Sequence, residues 1–149
     1  MARMADEGRF ARVEAGLEGV LEELREREPI FHRAAFGRAR EEMELSVAPD
    51  YWEVGASGRR YSREYIWRML EERLPVDAVE AGWKWHGFGL RRLGEETYLL
   101  TYTLEQGERV TRRSTIWERL DGGWRILFHQ GTVVAAEDDD AGGSVGGRG

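Results

Sequence analysis

The stretch Thr97–Val134, TYLLTYTLEQGERVTRRSTIWERLDGGWRILFHQGTVV, decides the fold. Residues alternate with a period of two through three runs, and a turn signal separates each run from the next. Gln106-Gly107 fits a two-residue hairpin loop, and Asp121-Gly122-Gly123 fits a three-residue loop closed by a left-handed Gly123. The stretch therefore reads as three consecutive antiparallel strands. The first loop pairs Tyr102 with Thr111 and Leu100 with Arg113. The second pairs Leu120 with Trp124, Trp117 with Leu127, Thr115 with His129 and Arg113 with Gly131.

This register sorts the side chains onto two faces. One holds Tyr98, Leu100, Tyr102, Arg113, Thr115, Trp117, Leu127 and His129. The other holds Leu99, Thr101, Val110, Ser114, Ile116, Trp124, Ile126 and Phe128. Neither is a polar solvent face, so both are expected to be covered, one by helices and one by a second subunit. The face with Trp124, Ile126 and Phe128 is the candidate dimer face. The face with Tyr102, Arg113, Trp117 and His129 mixes apolar bulk with hydrogen-bonding heads, as a small-molecule pocket requires.

Upstream, Phe10, Val13, Leu17, Val20, Leu21 and Leu24 recur at spacings of three and four, which predicts an amphipathic helix over 8–27. Pro29 interrupts it and starts a second helical segment with Ile30, Phe31, Ala34 and Ala35 inward. Gly37 ends or bends that segment, and a third runs over 38–47 with Ala39 and Met43 inward. Ala48-Pro49-Asp50 reads as a stop and turn. A strand over 51–55, a turn at Ala56-Ser57-Gly58-Arg59 and a short return through Tyr61 come next. Ser62 is an N-cap for a helix that ends at Pro75. A long strand is predicted over 79–93, with Gly87 and Gly89 as bulge positions. The order of elements gives an α+β domain over 1–134, with the 8–27 helix as an extension and helices on one face of an antiparallel sheet. The remainder, 135–149, is acidic and glycine-rich and reads as a disordered tail.

Composition removes several functions. There is no cysteine, so disulfides and thiolate metal sites are excluded. The net charge of −6 argues against nucleic acid as a partner. MARMADEGRF lacks an apolar signal region, and no run approaches the roughly 20 apolar residues of a membrane helix. A cytoplasmic protein with no membrane partner is expected.

Five segments carry a family resemblance: EPIFHR at 28–33, APDYWEVGASGRRYSR at 48–63, YLLTYTL at 98–104, RRSTIW at 112–117 and GWRILFHQGT at 123–132. Through them the chain resembles the nuclear-transport-factor-2-like superfamily, and within it a SnoaL-like branch filed as a domain of unknown function. The resemblance implies a cystatin-like cone, in which a strongly curved sheet wraps around the N-terminal helices, commonly as a dimer. Catalytic residues do not carry over. Neither the Asp base with Tyr and protonated-Asp donors of the isomerase branch nor the Asp-Arg-Asp set of the epoxide-hydrolase branch has matching positions. The paired histidines of the dehydratase branch have only a loose echo in His32 and His129.

The candidate ligand-binding residues are Trp52, Tyr102, Arg113, Trp117 and His129, and the acid–base candidates are His129, His32 and Tyr102. For His129 the plainer alternative is a core histidine bonded to a carbonyl. Arg113, if inward, needs Glu53 or a ligand anion as partner. His32, His86 and His129 form no metal-ligand spacing, so neither a metal nor another cofactor is expected. The function read from the sequence is a small-molecule-binding domain, as a homodimer. The alternative is a cofactor-independent lyase, isomerase or cyclase acting on a small polar or aromatic substrate through His/Tyr acid–base chemistry.

Overall fold

The computed structural model describes residues 8–33, 40–72 and 76–135. The described elements are helix α1 (Glu18–Arg25), a 3-10 turn (Ile30–His32), α2 (Arg40–Ser46), strands β1 (Val47–Val54) and β2 (Arg60–Ser62), and α3 (Arg63–Glu72). Strands β3 (Lys84–Arg92), β4 (Thr97–Gln106), β5 (Arg109–Leu120) and β6 (Gly123–Val133) follow. They form one open six-stranded sheet in the order β2-β1-β6-β5-β4-β3. Every pairing is antiparallel except β1 with β6, which is parallel, so the sheet is mixed where a purely antiparallel one was expected.

The core lies between the inner face of this sheet and the helices. Leu24 of α1, Met43 of α2 and Val47 and Tyr51 of β1 pack with Leu90, Leu100, Leu104, Trp117 and Ile126. Ser62 caps α3 as expected, its Oγ accepting the Tyr65 N–H at 3.1 Å. Among the described residues, no helix is long and apolar enough to cross a membrane.

Several expected boundaries moved, each for a local reason. The 8–27 helix is broken: residues 8–10 are helical, the chain then runs extended past β3, and α1 begins at Glu18. Leu90 N–H donates to Arg12 O and Glu14 N–H to Leu90 O, both at 2.9 Å, so the backbone joins the sheet edge instead of coiling. Gly89 permits this, because a Cβ there would lie 2.8 Å from Thr101 Oγ1 and 3.3 Å from Phe10 O. Phe10 is left largely exposed.

Ala48-Pro49-Asp50 is not a stop but part of β1. Its register against β6 shifts between Val47 and Trp52, so Pro49 sits where no ladder N–H is needed. The strand expected from 79 begins at Lys84, because Asp77 Oδ1 accepts the Val79 and Glu80 N–H groups and holds residues 78–82 in a turn. The bulge expected at Gly87 and Gly89 is present between His86 and Gly89. Ala34, Ala35, Gly37, Ala39, Pro75 and the tail from 136 lie outside the described residues.

The two hairpins fix the faces. The β4–β5 loop is Gly107-Glu108, with Gly107 at φ 69 as a type II′ turn requires, so Tyr102 pairs with Arg113 and Leu100 with Thr115. Moving the loop one residue along slides the register by two, which keeps every side chain on its expected face. The β5–β6 loop is Asp121-Gly122, both at positive φ, and Leu120 pairs with Gly123. Trp117 therefore meets Ile126, and Leu127 is an extra residue that restores Ile116 to Phe128 and Thr115 to His129. Trp124 and Ile126 consequently turn inward and are buried, which corrects their assignment to a dimer face.

Candidate functional site

The inner face closes on a buried carboxyl. Glu28 lies three residues past the end of α1 and is only 1% exposed. Tyr102 Oη donates to its Oε1 at 2.7 Å, and Trp117 Nε1 donates to its Oε2 at 2.8 Å. Thr115 adds a third hydrogen bond. These partners converge because Tyr102, Thr115 and Trp117 occupy alternate positions on paired strands and project to one side. Burial pushes the Glu28 pKa up against the pull of those hydrogen bonds and of the Arg113 charge. Tyr102 itself is raised well above the ordinary tyrosine value, by burial first and then by Glu28.

The network continues along the β5–β6 ladder. His129 Nδ1 lies 2.7 Å from Thr115 Oγ1, and Arg113 Nη1 lies 3.3 Å from His129 Nε2. A guanidinium only donates, so Nε2 accepts, Nδ1 carries the proton and the imidazole is neutral. Burial, then the Arg113 charge, lowers the His129 pKa to about 3. Arg113 Nε donates to Thr111 Oγ1 at 3.0 Å, and the guanidinium lies over Gly131. Arg113, His129, Thr115 and Glu28 thus form one polar chain inside an apolar core.

Glu53 approaches from β1. Tyr51 Oη donates to its Oε1, and burial raises its pKa while Arg113 draws it down. Glu53 does not form an ion pair with Arg113, the structural partnership expected of it. Among the described residues, no carboxylate lies within ion-pairing distance of that guanidinium.

Tyr102, Arg113, Trp117 and His129 are thus brought together. Trp52 is not: it sits on the outer face, 44% exposed, with its ring edge-on to Phe128 at 4.9 Å. His32 makes its hydrogen bond outside the polar chain, although the Arg113 charge acts on it. Its Nδ1 donates to Val76 O at 2.9 Å, its ring tilts against Trp83, and burial lowers its pKa. Glu28, the centre of the cluster, was not a sequence candidate. The available signal was an acid placed directly before the apolar run Pro29-Ile30-Phe31. Thr115 carried no signal beyond its face.

An open groove of about 390 Å³ lies at the end of α1, between Arg25, Glu26, Arg33, Trp83, Lys84 and Trp85. Arg33 stacks over Trp85 and donates to Glu28 O, and Arg25 stacks over Phe88. Phe88 in turn stacks on Tyr102 at 5.2 Å, linking the groove wall to the buried carboxyl. Among the described residues, no group of acids and histidines is arranged to hold a metal ion.

No family model matches the chain, and no curated protein does. Solved structures do. A cystatin-like fold protein from Burkholderia xenovorans superposes with a TM-score of 0.59 at 18% identity, over 79% of this chain and 91% of that one. A DUF3225-family protein of unknown function from Pectobacterium atrosepticum gives 0.58 at 18% identity, over 80% and 91%. An NTF2-like protein from Cytophaga hutchinsonii gives 0.51 at 14% identity, over 80% and 98%. The chain has the cystatin-like, NTF2-like fold, as the sequence resemblance implied. A fold of this kind does not fix an activity, so function must be argued from the site.

Proposed function

We propose that the chain is a small-molecule-binding domain that receives a small carboxylate at Arg113. One observation carries this reading. Arg113 is half-buried and, among the described residues, hydrogen-bonded to the neutral Thr111 and His129, with no carboxylate within ion-pairing distance. A partly buried cation without a counter-ion is costly, and a carboxylate supplies both charge and paired acceptors. Burial raises the pKa of both Glu28 and Glu53, while the Arg113 charge draws both down, and neither acid pairs with it directly. Benzoate or a short aliphatic carboxylate is expected to raise the unfolding temperature by several degrees, while neutral benzamide leaves it unchanged. In Arg113→Gln the shift should vanish. A benzoate shift that persists in this variant would sink the reading.

A second reading, a cofactor-independent lyase, isomerase or cyclase, is favoured by Glu53, a half-buried acid with a raised pKa in the field of Arg113. Acid–base chemistry then falls to Glu53 and Tyr51. His129 is neutral with both nitrogens engaged, and Tyr102 already donates its proton to Glu28. Glu53→Gln tells the two readings apart: catalysis loses turnover at unchanged carboxylate affinity, and pure binding has no turnover to lose.

The homodimer reading keeps the outer face expected for it, without Trp124 and Ile126, which the bulge at Leu127 turns inward. Leu99, Ile116 and Phe128 there are apolar and half-buried in the single chain. Light scattering of the full chain measures the assembly directly.

A further inference from the structure

A second groove lies apart from the Arg113 cluster. The β1–β2 hairpin and the first turns of α3 enclose an open space of about 490 Å³. Three arginines, Arg59, Arg60 and Arg68, and three aromatics, Trp52, Tyr61 and Tyr65, line it. The volume falls within the range of small-molecule sites.

Two features of its lining bear on what it could hold. The first is charge. Arg59, Arg60 and Arg68 have no carboxylate within ion-pairing distance among the described residues, in a chain whose net charge is −6. Three guanidinium groups around one space repel each other, and an anion between them removes that repulsion. The second is the aromatic wall. Tyr61 and Tyr65 lie 5.1 Å apart at 36°, and the Arg68 guanidinium lies 5.8 Å from the Tyr65 ring centre. Gly55 makes room for this wall, because a Cβ there would lie 2.9 Å from Tyr61 Cε2. Trp52 leaves much of its ring exposed beside it. Three cations suit a dianion better than a monoanion, and arginine forks match phosphate oxygens.

We propose that this groove binds an aryl phosphate, with the ring against Trp52 and Tyr61 and the phosphate among Arg59, Arg60 and Arg68. The site is independent of the carboxylate reading at Arg113. The test titrates phenyl phosphate into the full-length chain, following the Trp52 indole N–H by NMR, with phenol and inorganic phosphate as controls. Phenyl phosphate is expected to shift the Trp52 signal saturably and to bind at least tenfold more tightly than either control. The double variant Arg60→Ala/Arg68→Ala should weaken it at least tenfold, and Arg113→Gln should leave it unchanged. Arg60 and Arg68 are exposed, so the double variant keeps its fold, which its thermal unfolding verifies. Equal binding of phenol or of inorganic phosphate, an unchanged double variant, or loss in Arg113→Gln would each overturn the proposal. So would the absence of any shift of Trp52.

Discussion

Glu28→Ala is expected to lower the unfolding free energy by about 3–5 kcal/mol, the range for losing a buried side chain while leaving polar partners unpaired. The reason is the three donors that the carboxyl satisfies, Tyr102, Thr115 and Trp117. Tyr102 Oη can turn to another acceptor, but the Trp117 Nε1–H cannot, and Trp117 is fully buried. Alanine also leaves a cavity against Trp117 that the stacked Phe88 and Tyr102 rings cannot readily fill. Glu28→Gln separates the two contributions. Its amide oxygen can serve Trp117 while its NH2 meets a rotated Tyr102 hydroxyl, so a loss nearer 1 kcal/mol, that of one net hydrogen bond, is expected. Urea unfolding of both variants measures the difference. Equal losses would mean that volume, not hydrogen bonding, is what Glu28 supplies.

Acidification should unfold the protein through His129. Its folded pKa of about 3 lies below the ordinary imidazole value of 6.5. Between those values the unfolded chain binds a proton that the folded chain refuses. The contribution is therefore complete above pH 6.5 and declines as pH falls towards 3, by roughly 2–3 kcal/mol at pH 4.5. Glu28 acts with the opposite sign: its raised pKa favours the folded state below its ordinary value of 4.5 and weakens it as pH rises through the folded value. His129→Gln isolates the histidine. Its stability should be flatter between pH 6.5 and 4.5 than that of the parent, and the parent's His129 ring should show no titration in NMR spectra above pH 4. A variant that loses stability in parallel with the parent would place the acid sensitivity elsewhere.

How far the sequence was legible depended on the length scale of the force involved. Period-two alternation is local, so the strands of Thr97–Val134 and their facing were readable, and a slip of two at Gly107 did no harm. Glycine chemistry at Gly58, Gly87 and Gly107 was readable for the same reason. The broken first helix was not. Its apolar spacing from Phe10 to Leu24 is helical, but Leu90 competes for the same backbone from across the chain, and Gly89 admits it. Pro49 misled because a proline marks a turn only where the chain has no ladder to join. Register alone put Tyr102, Arg113, Trp117 and His129 on one face, where the structure also has them. Glu28 was not found, because its role depends on three donors far along the chain. Trp52 was placed on the site by its residue type, and pairing put it on the opposite face.

The extra residue Leu127 has a wider consequence. It acts as a phase corrector between the hairpin tip and the polar chain. Below it, Trp124 and Ile126 keep step with the apolar floor under α1; beyond it, His129 and Gly131 keep step with Thr115 and Arg113. A one-residue change of length at the Asp121-Gly122 tip can thus be absorbed at Leu127 without turning His129 out of the interior. Loop length and site composition are therefore separable variables in this strand, free to diverge at different rates.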